Sequence, residues 1–500
     1  MEKLNEEPED LIAATLAVSM TIVGEERSEL IEAVAIEYAQ HNELEKAVQV
    51  MESIQDPYLR DKGIGTISVM AADAGETQFA DQLLNSIEDP SLLTVALEEV
   101  AVSHARRGNF ETALELCDEL EDNAPAFGGI AVSYANHGFL EQALELARSI
   151  ESALPRSLTL VQLALDQSAR NDPTSAQGLL AEAAEIAGEI EFPEDQVESV
   201  VTIARAYASL GKNELAYDEL LEAIRLCDEI ESTSGVITAT SVRDHELAVI
   251  VSALANLKFF EKAEEVLETV EDPFKFALGS RELALAYHKE QKEAEANELL
   301  EQAVEVTEDA DVVYEQAVAM QQEVFSNVAH AYAVNGQTGK ALEVVELVHV
   351  VRLKNHWLEE IGKVAVQMGS DPSVISEALP DAASQSSFWL VISDTYAKSN
   401  RPEKADEALQ LATKFADQSS DRPYEQALAF NEIATRLLAN RSEQASQLFQ
   451  RTLSTIPGIA SSTRRALILL DMARKFRTHN KELNQQESGL LREILLRMEL

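Results

Sequence analysis

Two cysteines in 500 residues, Cys117 and Cys227, are too few and too far apart for a disulfide framework, and both sit in apolar helical patterns. They read as buried thiols of a reducing compartment. Aromatic residues make up only 5% of the chain, and 19 Gly and 13 Pro are few for this length. That balance excludes a sheet sandwich and suits helices packed through small side chains. The apolar run from Leu11 to Val23 is short for a membrane span and follows Glu2, Glu6, Glu7, Glu9 and Asp10, the wrong flank for a secretory signal. Residues 1–9 read as a disordered acidic tail. We therefore expect a cytoplasmic protein with no membrane insertion.

Positive charge is also scarce, with 40 Lys and Arg against 88 Asp and Glu and a formal net charge of -48. The 64 Glu far outnumber the 24 Asp, as expected for solvated helix faces, because Glu is the better helix former. Residues 464–500 depart from this with a net +3. Nonspecific binding to nucleic acid or to an anionic lipid surface is disfavoured over nearly the whole chain.

Against these absences stands one recurring pattern. Alanine at 47, 80, 113, 143, 176, 216, 263, 296, 341, 405 and 445 anchors a repeat with steps of 33, 33, 30, 33, 40, 47, 33, 45, 64 and 40 residues. The step of 64 hides a degenerate repeat. The residue four after each anchor is always apolar, from Met51, Leu84 and Cys117 to Leu409 and Phe449, and the residue seven after completes a helical stripe in nearly every case. Five before the anchor stand Asn42, Gly75, Gly108, Gly138, Asn171, Gly211, Gly336 and Asn400, residues that tolerate the left-handed conformation ending a helix. Twelve and nine before it, pairs such as Ala35 with Tyr38, Ala131 with Tyr134, Ala204 with Tyr207, Ala284 with Tyr287 and Ala329 with Tyr332 admit a close neighbouring helix and fill the space beside it. Asp56-Pro57, Asp89-Pro90 and Asp272-Pro273 end second helices.

The pattern, written out as IAVSYANHGFLEQALELA over 130–147 and IARAYASLGKNELAYDELLEA over 203–223, resembles the tetratricopeptide repeat over roughly nine tenths of the chain. It departs from that family in lacking the tryptophan near the start of the first helix and in placing proline early in the short repeats. The resemblance implies an all-α, right-handed superhelical α-solenoid of about twelve antiparallel hairpins, with first helices lining a concave face on which relatives bind peptides or partner segments. Relatives that grip a terminal carboxylate use clustered Lys and Asn there. Here Asn327 is isolated, so that activity is not carried over.

Three organisational expectations follow. The array over 10–463 begins with half a repeat, because Ala14 lies 33 before Ala47. The Pro- and Ser-bearing run 369–387 reads as a truncated hairpin and a bend. Residues 464–500 supply helices whose apolar residues Leu490, Leu491, Ile494, Leu495, Leu496 and Met498 serve either to cap the last hairpin or to dock another copy.

A search for chemistry returns little. Gly63 and Gly65 stand in a helical register without a phosphate-loop context. His349 and His356, seven apart and expected to share one helix face, lack further ligands for a metal, and no nucleophile is paired with a base. We expect no enzyme activity, no cofactor and no metal. The working surface is instead read eleven before each anchor, where the concave face is centred. Ile36, Val69, Val102, Val132 and Leu165 form an aliphatic ladder flanked by the small residues Ala39, Ala72, Ala105, Ala135 and Ser168. Later repeats turn polar at Arg205, Ser252, His330 and Asp394, and Arg281, His288 and Lys289 gather around Leu285. Arg205, Arg281, His288 and His330 are candidate contacts for an acidic group of a ligand, unless carboxylates such as Glu282 and Glu323 neutralise them. The ladder serves either as a groove for an amphipathic helix or extended segment, or as packing between first helices. The function read from it is a noncatalytic scaffold for a protein or peptide partner. The alternative is self-assembly through the N-terminal half repeat and the apolar C-terminal helix, giving a homo-oligomer.

Overall fold

The computed structural model describes residues 10–230, 237–310, 312, 315–438 and 441–497. Residues 1–9, the expected acidic tail, lie outside this set, as do residues 231–236 and Met498. Every regular element among the described residues is helical, and the chain divides into two compact units. Unit 1 comprises residues 1–107 and 371–500, and unit 2 comprises residues 108–370.

The N-terminal arm of unit 1 contains α1 (Leu11–Ser19), α2 (Glu25–Gln40), α3 (Leu44–Met51), α4 (Pro57–Ala74), α5 (Thr77–Leu84) and α6 (Pro90–Arg106). Unit 2 contains α7 (Phe110–Cys117), α8 (Ala124–Asn136), α9 (Leu140–Ser149), α10 (Ala153–Ala169), α11 (Pro173–Ala187), α12 (Pro193–Ser209), α13 (Asn213–Cys227), α14 (Ile237–Asn256), α15 (Phe260–Leu267), α16 (Pro273–Lys289), α17 (Glu293–Glu308), α18 (Glu315–Val334), α19 (Thr338–Val345) and α20 (Val351–Gln367). The C-terminal arm of unit 1 contains α21 (Ser373–Glu377), α22 (Ala382–Lys398), α23 (Pro402–Gln418), α24 (Pro423–Leu437), α25 (Ser442–Thr455), α26 (Ser462–Thr478) and α27 (Gln485–Arg497). In unit 2 the hairpins from α8/α9 to α18/α19 stack through their first helices, each packing on the next. The degenerate repeat keeps a full first helix in α20, but α21, in the second-helix position, has only five residues.

The anchor pattern explains this packing. Ten of the eleven anchor alanines are fully buried, and all eleven residues four positions later are buried. The exception is half-buried Ala405, where the register is displaced and Ala408, Leu409, Ala412 and Ala416 take the core face. Five before the anchor, at each of the ten positions of this register that are described, the backbone turns left-handed. This holds at Gly75 (φ +93°) and Asn171 (φ +63°), and also at Lys258 (φ +67°) and Gln291 (φ +61°), side chains that do not announce such a turn.

The Asp-Pro steps do more than stop a helix. Asp56, Asp89 and Asp272 cap the following helix, accepting from backbone N–H groups of its first turn, with proline in that turn where no N–H partner is needed. A further device escaped the sequence reading. Asp61 and Asp244, each nineteen before an anchor, are fully buried and accept from the two N–H groups that open the next hairpin's capping turn. For Asp61 the donors are Glu88 at 2.8 Å and Asp89 at 3.0 Å, and for Asp244 they include Glu271 at 3.0 Å. Gln322, at the same register, accepts from the His349 N–H. His349 therefore lies in a turn before α20, not on a helix face shared with His356.

The N-terminal half repeat is not left open. α1 packs against α26 as a second helix packs on its first, and α26 also contacts α2 and α24. Unit 1 thus runs from hairpin α22/α23 through α24/α25 and α26/α1 to α2/α3 and α4/α5, with the middle hairpin assembled from the two ends of the chain. The residues explain this choice. α26 ends in an ordinary left-handed turn at Asn480 (φ +49°), and α27 then falls where a second helix should begin. Yet its residues at the three stripe positions are Gln485, Gly489 and Arg492, all exposed. α1 offers Ala14 and Val18 at the first two of those positions, both at 0% exposure. α27 packs instead on α25 and α1, burying Leu491, Ile494 and Leu495 while Leu496 stays 74% exposed.

Candidate interaction surface

The core of each first helix is set by residues twelve and nine before the anchor, and Ala35, Ala131, Ala204, Ala284 and Ala329 are all at or below 1% exposure. A residue eleven before the anchor lies 100° around the helix from the first of these, at the edge of the packed face. In unit 1, Ile36 on α2, Val69 on α4 and Val102 on α6 are all half-buried at this edge, and α2, α4 and α6 pack side by side. In unit 2, Val132 on α8 and Leu165 on the adjacent α10 are half-buried in the same way. The small residues three later do not line a surface, since Ala39, Ala72, Ala105 and Ala135 are buried between helices. Their size lets neighbouring first helices approach closely, which brings successive ladder residues near one another.

The four basic candidates do not form one cluster. Arg205 is exposed on α12, where it partly offsets the burial and the repulsion from Glu198 that raise the pKa of Glu246. Arg281 on α16 is ion-paired with its neighbour Glu282. His288 has Nδ1 2.9 Å from the Glu293 carboxylate. Only Arg281 and His330 are brought into each other's field. Burial first, and then the Arg281 charge, lower the His330 pKa, while Glu360 opposes them, so that imidazole is neutral at pH 7. Glu282 thus fulfils the neutralising role read for it. Missing from the sequence reading was Trp357 on α20, whose ring stands edge-on to His330 at 5.6 Å between centroids.

The C-terminal arm of unit 1 carries a different surface. Asp394 on α22 receives a two-pronged contact from Arg436 on α24 at 2.8 and 2.7 Å. Arg436 also reaches Glu432 at 2.7 Å, and Lys475 on α26 bridges Glu432 and Asp471 at 2.5 and 2.6 Å. Burial opposes ionisation of Glu432, but Lys475 and Arg436 together bring its pKa below the usual carboxylate value. This chain of charges is internally paired, so it ties α22, α24 and α26 together without needing a ligand. Asp394 was the only member visible as a face residue, because the others lie one to three residues from the position at which the face was read.

Among the described residues no three His, Cys, Asp or Glu side chains converge as a metal site, and no helix is long and apolar enough to cross a membrane. Cys227 is buried, and burial with nearby carboxylates pushes its thiol up to about 12.

The stacked hairpins, their left-handed turns and their buried small-residue stripe define a TPR-like helical-repeat protein. No family model and no curated protein matches the chain. Solved structures similar to it include TPR-like repeats of a putative kinesin light chain from Podospora anserina, with 19% identity, 46% of this chain and 98% of that one covered, and a TM-score of 0.24. Human IFIT1 crystallised as a dimer with PPP-AAAA shows 12% identity, coverage of 87% and 95%, and a TM-score of 0.28. Aspartyl phosphate phosphatase F from Bacillus subtilis shows 11% identity, coverage of 79% and 95%, and a TM-score of 0.28.

Proposed function

We propose that the protein is a noncatalytic scaffold of the cytoplasm that binds protein or peptide segments on the exposed edge of its first helices. The observation that carries this reading is the aliphatic ladder. Ile36, Val69 and Val102 in unit 1, and Val132 and Leu165 in unit 2, recur at one register and remain half-exposed, although neighbouring positions on the same helices are fully buried. An amphipathic helix or extended segment would gain about 25 cal/mol for each square ångström of apolar surface it covers there. Arg205, Arg281, His288 and His330 would contribute orientation more than charge, since local carboxylates or burial offset each of them. The net charge of -48 weighs against nucleic acid as the partner.

Self-assembly through an open half repeat loses its motive, because α1 already has a partner in α26 of its own chain. The test of the scaffold reading is Val102→Glu with Leu165→Glu, each replacing a half-exposed side chain. Capture of the wild-type protein's binding partner should fall with circular dichroism unchanged. Equal capture by a folded variant would remove the ladder from the binding surface.

A further inference from the structure

Unit 2 keeps its charge apart from its apolar surface. Residues 108–370 hold 17 Lys and Arg against 49 Asp and Glu, a net charge of -32. Almost none of it lies on the first helices. α8, α10, α12, α14, α16, α18 and α20 together sum to -2, whereas the second helices α7, α9, α11, α13, α15, α17 and α19 sum to -16. α8, which carries Val132, has no charged residue, and α10, which carries Leu165, has only Arg156 and Asp166. A nearly neutral aliphatic face thus lies in a strongly negative field, which draws in positive charge while the face itself favours apolar cover.

Beyond the aliphatic stretch the same face turns negative at one place. Asp166 is paired with Arg170, Glu282 with Arg281 and Glu360 with Lys363, but among the described residues no ion pair forms at Glu198 on α12 or at Glu246 on α14. Glu198 stands two turns before Arg205, which holds the ladder register on α12, so both occupy one helix face. Glu198 is exposed and Glu246 half-buried, and burial followed by repulsion from Glu198 raises the Glu246 pKa, with Arg205 offsetting this only in part. Two carboxylates and one guanidinium leave one negative charge uncompensated, and α12 packs directly on α10.

We propose that the segment received by the ladder of unit 2 is a cationic amphipathic helix of another protein, its apolar face on Val132 and Leu165 and a Lys or Arg on Glu198 and Glu246. This rests on the scaffold reading and adds the chemistry and direction of the partner. α8, α10, α12 and α14 pack in series. At about 8–10 Å per step the path across them is about 24–30 Å, the length of about 16–20 helical residues. The aliphatic residues occupy one end of that path and the carboxylates the other, so a cation at one end of the partner's apolar stripe fixes its direction. An uncharged segment gains the same apolar contact but leaves the carboxylates unpaired, and an acidic one is repelled by them.

The test uses the full chain and two synthetic amphipathic peptides of about 18 residues, one of Leu and Lys and one with every Lys replaced by Gln, with dissociation constants from fluorescence anisotropy. The Leu/Lys peptide should bind at least about fivefold tighter, and Glu198→Gln with Glu246→Gln should remove about that factor from the Leu/Lys peptide alone. That variant loses a charge that burial disfavours at Glu246, so its circular dichroism should match wild type. Equal affinity of the two peptides overturns the proposal. So does a Leu/Lys affinity untouched by the Gln pair, which would assign the attraction to the diffuse charge of the unit, and so does failure of both peptides to bind. Val132→Ser with Leu165→Ser separates this from the scaffold reading. Should it weaken both peptides when no preference for Lys is found, the ladder binds and only the cationic partner is lost. Should it weaken neither, the ladder is not the binding surface and both readings fail.

Discussion

Replacing Asp61 with alanine tests the most specific piece of wiring in unit 1. Asp61 is 1% exposed, its Oδ2 accepts from the N–H groups of Glu88 and Asp89, and its Oδ1 is 3.1 Å from Arg60 Nη2. The alanine variant leaves two partly buried N–H donors without an acceptor, each costing about 1–3 kcal/mol, so a loss of about 2–4 kcal/mol is expected if water reaches them in part. For a body the size of unit 1 each kcal/mol shifts the melting temperature by about 2–4 °C, so the transition should fall by roughly 4–16 °C. Asp89→Ala, which removes an ordinary helix cap, should cost only about 1 kcal/mol. Acid provides the second axis. Burial opposes ionisation of Asp61, but the two N–H bonds and Arg60 outweigh it and hold its pKa below the ordinary value. A carboxylate depressed in the folded state contributes stability in full above its unfolded pKa of about 3.9, and that contribution disappears as pH falls through the lower folded value. The gap between wild type and Asp61→Ala should therefore be widest at neutral pH and narrow below about pH 3. Calorimetry across pH gives the first quantity, and hydrogen exchange at Glu88 and Asp89 localises it. A melting temperature within about 1 °C of wild type, or a gap that does not change with pH, would refute the assignment.

Three further outcomes follow from individual positions. Gly75→Ala should destabilise by about 1 kcal/mol or more in denaturant titration, because its φ of +93° is costly for a side chain, and the Arg107 guanidinium beside it would have to move aside. Gln291→Gly should have the opposite sign, stabilising by about 0.5 kcal/mol, since it relieves a left-handed residue (φ +61°) at the price of extra freedom in the unfolded chain. Neither Cys117, 1% exposed, nor Cys227, 0% exposed, should react with a thiol reagent in the folded protein at pH 8, whereas both should in denaturant.

The fold was legible because the anchor alanine and the residue four beyond it are packing positions, where small size and apolarity are imposed from all sides. What escaped detection was polar and long-range. Asp61, Asp244 and Gln322 share a register that an apolar stripe count passes over, although their common distance of nineteen from the anchor was there to be read. Lys258 and Gln291 take left-handed turns because the hairpin on either side requires it, so tertiary context overrides the local preference for Gly or Asn. The half repeat at Ala14 was visible, but its partner was not, since pairing α1 with α26 requires contacts across some 450 residues of chain that no local pattern encodes. The ladder residues were found by register, and the charged chain from Asp394 to Asp471 was missed because it forms only when α22, α24 and α26 are stacked.

The same register separates what holds the molecule together from what it can offer a partner. Ala35 and Ala131, on the core side, sit at 0% exposure, so enlarging either forces two helices apart and costs stability at once. Ile36 and Val132, one residue further along the same helices, touch the core on one side only. A polar substitution at those two positions removes less buried area than at any neighbouring core residue, so its expected stability cost is about 1 kcal/mol or below. Apolar residues persist there in five successive first helices, from Ile36 to Leu165, although packing alone would tolerate the Arg205 and Ser252 found at the same register further along. Core demand therefore does not account for the aliphatic character of the ladder, and this is the ground for proposing that a second chain segment covers it. If Ile36→Ser and Val132→Ser together lowered stability as much as Ala35→Val, as measured by denaturant unfolding, the ladder would be core and this argument would fail.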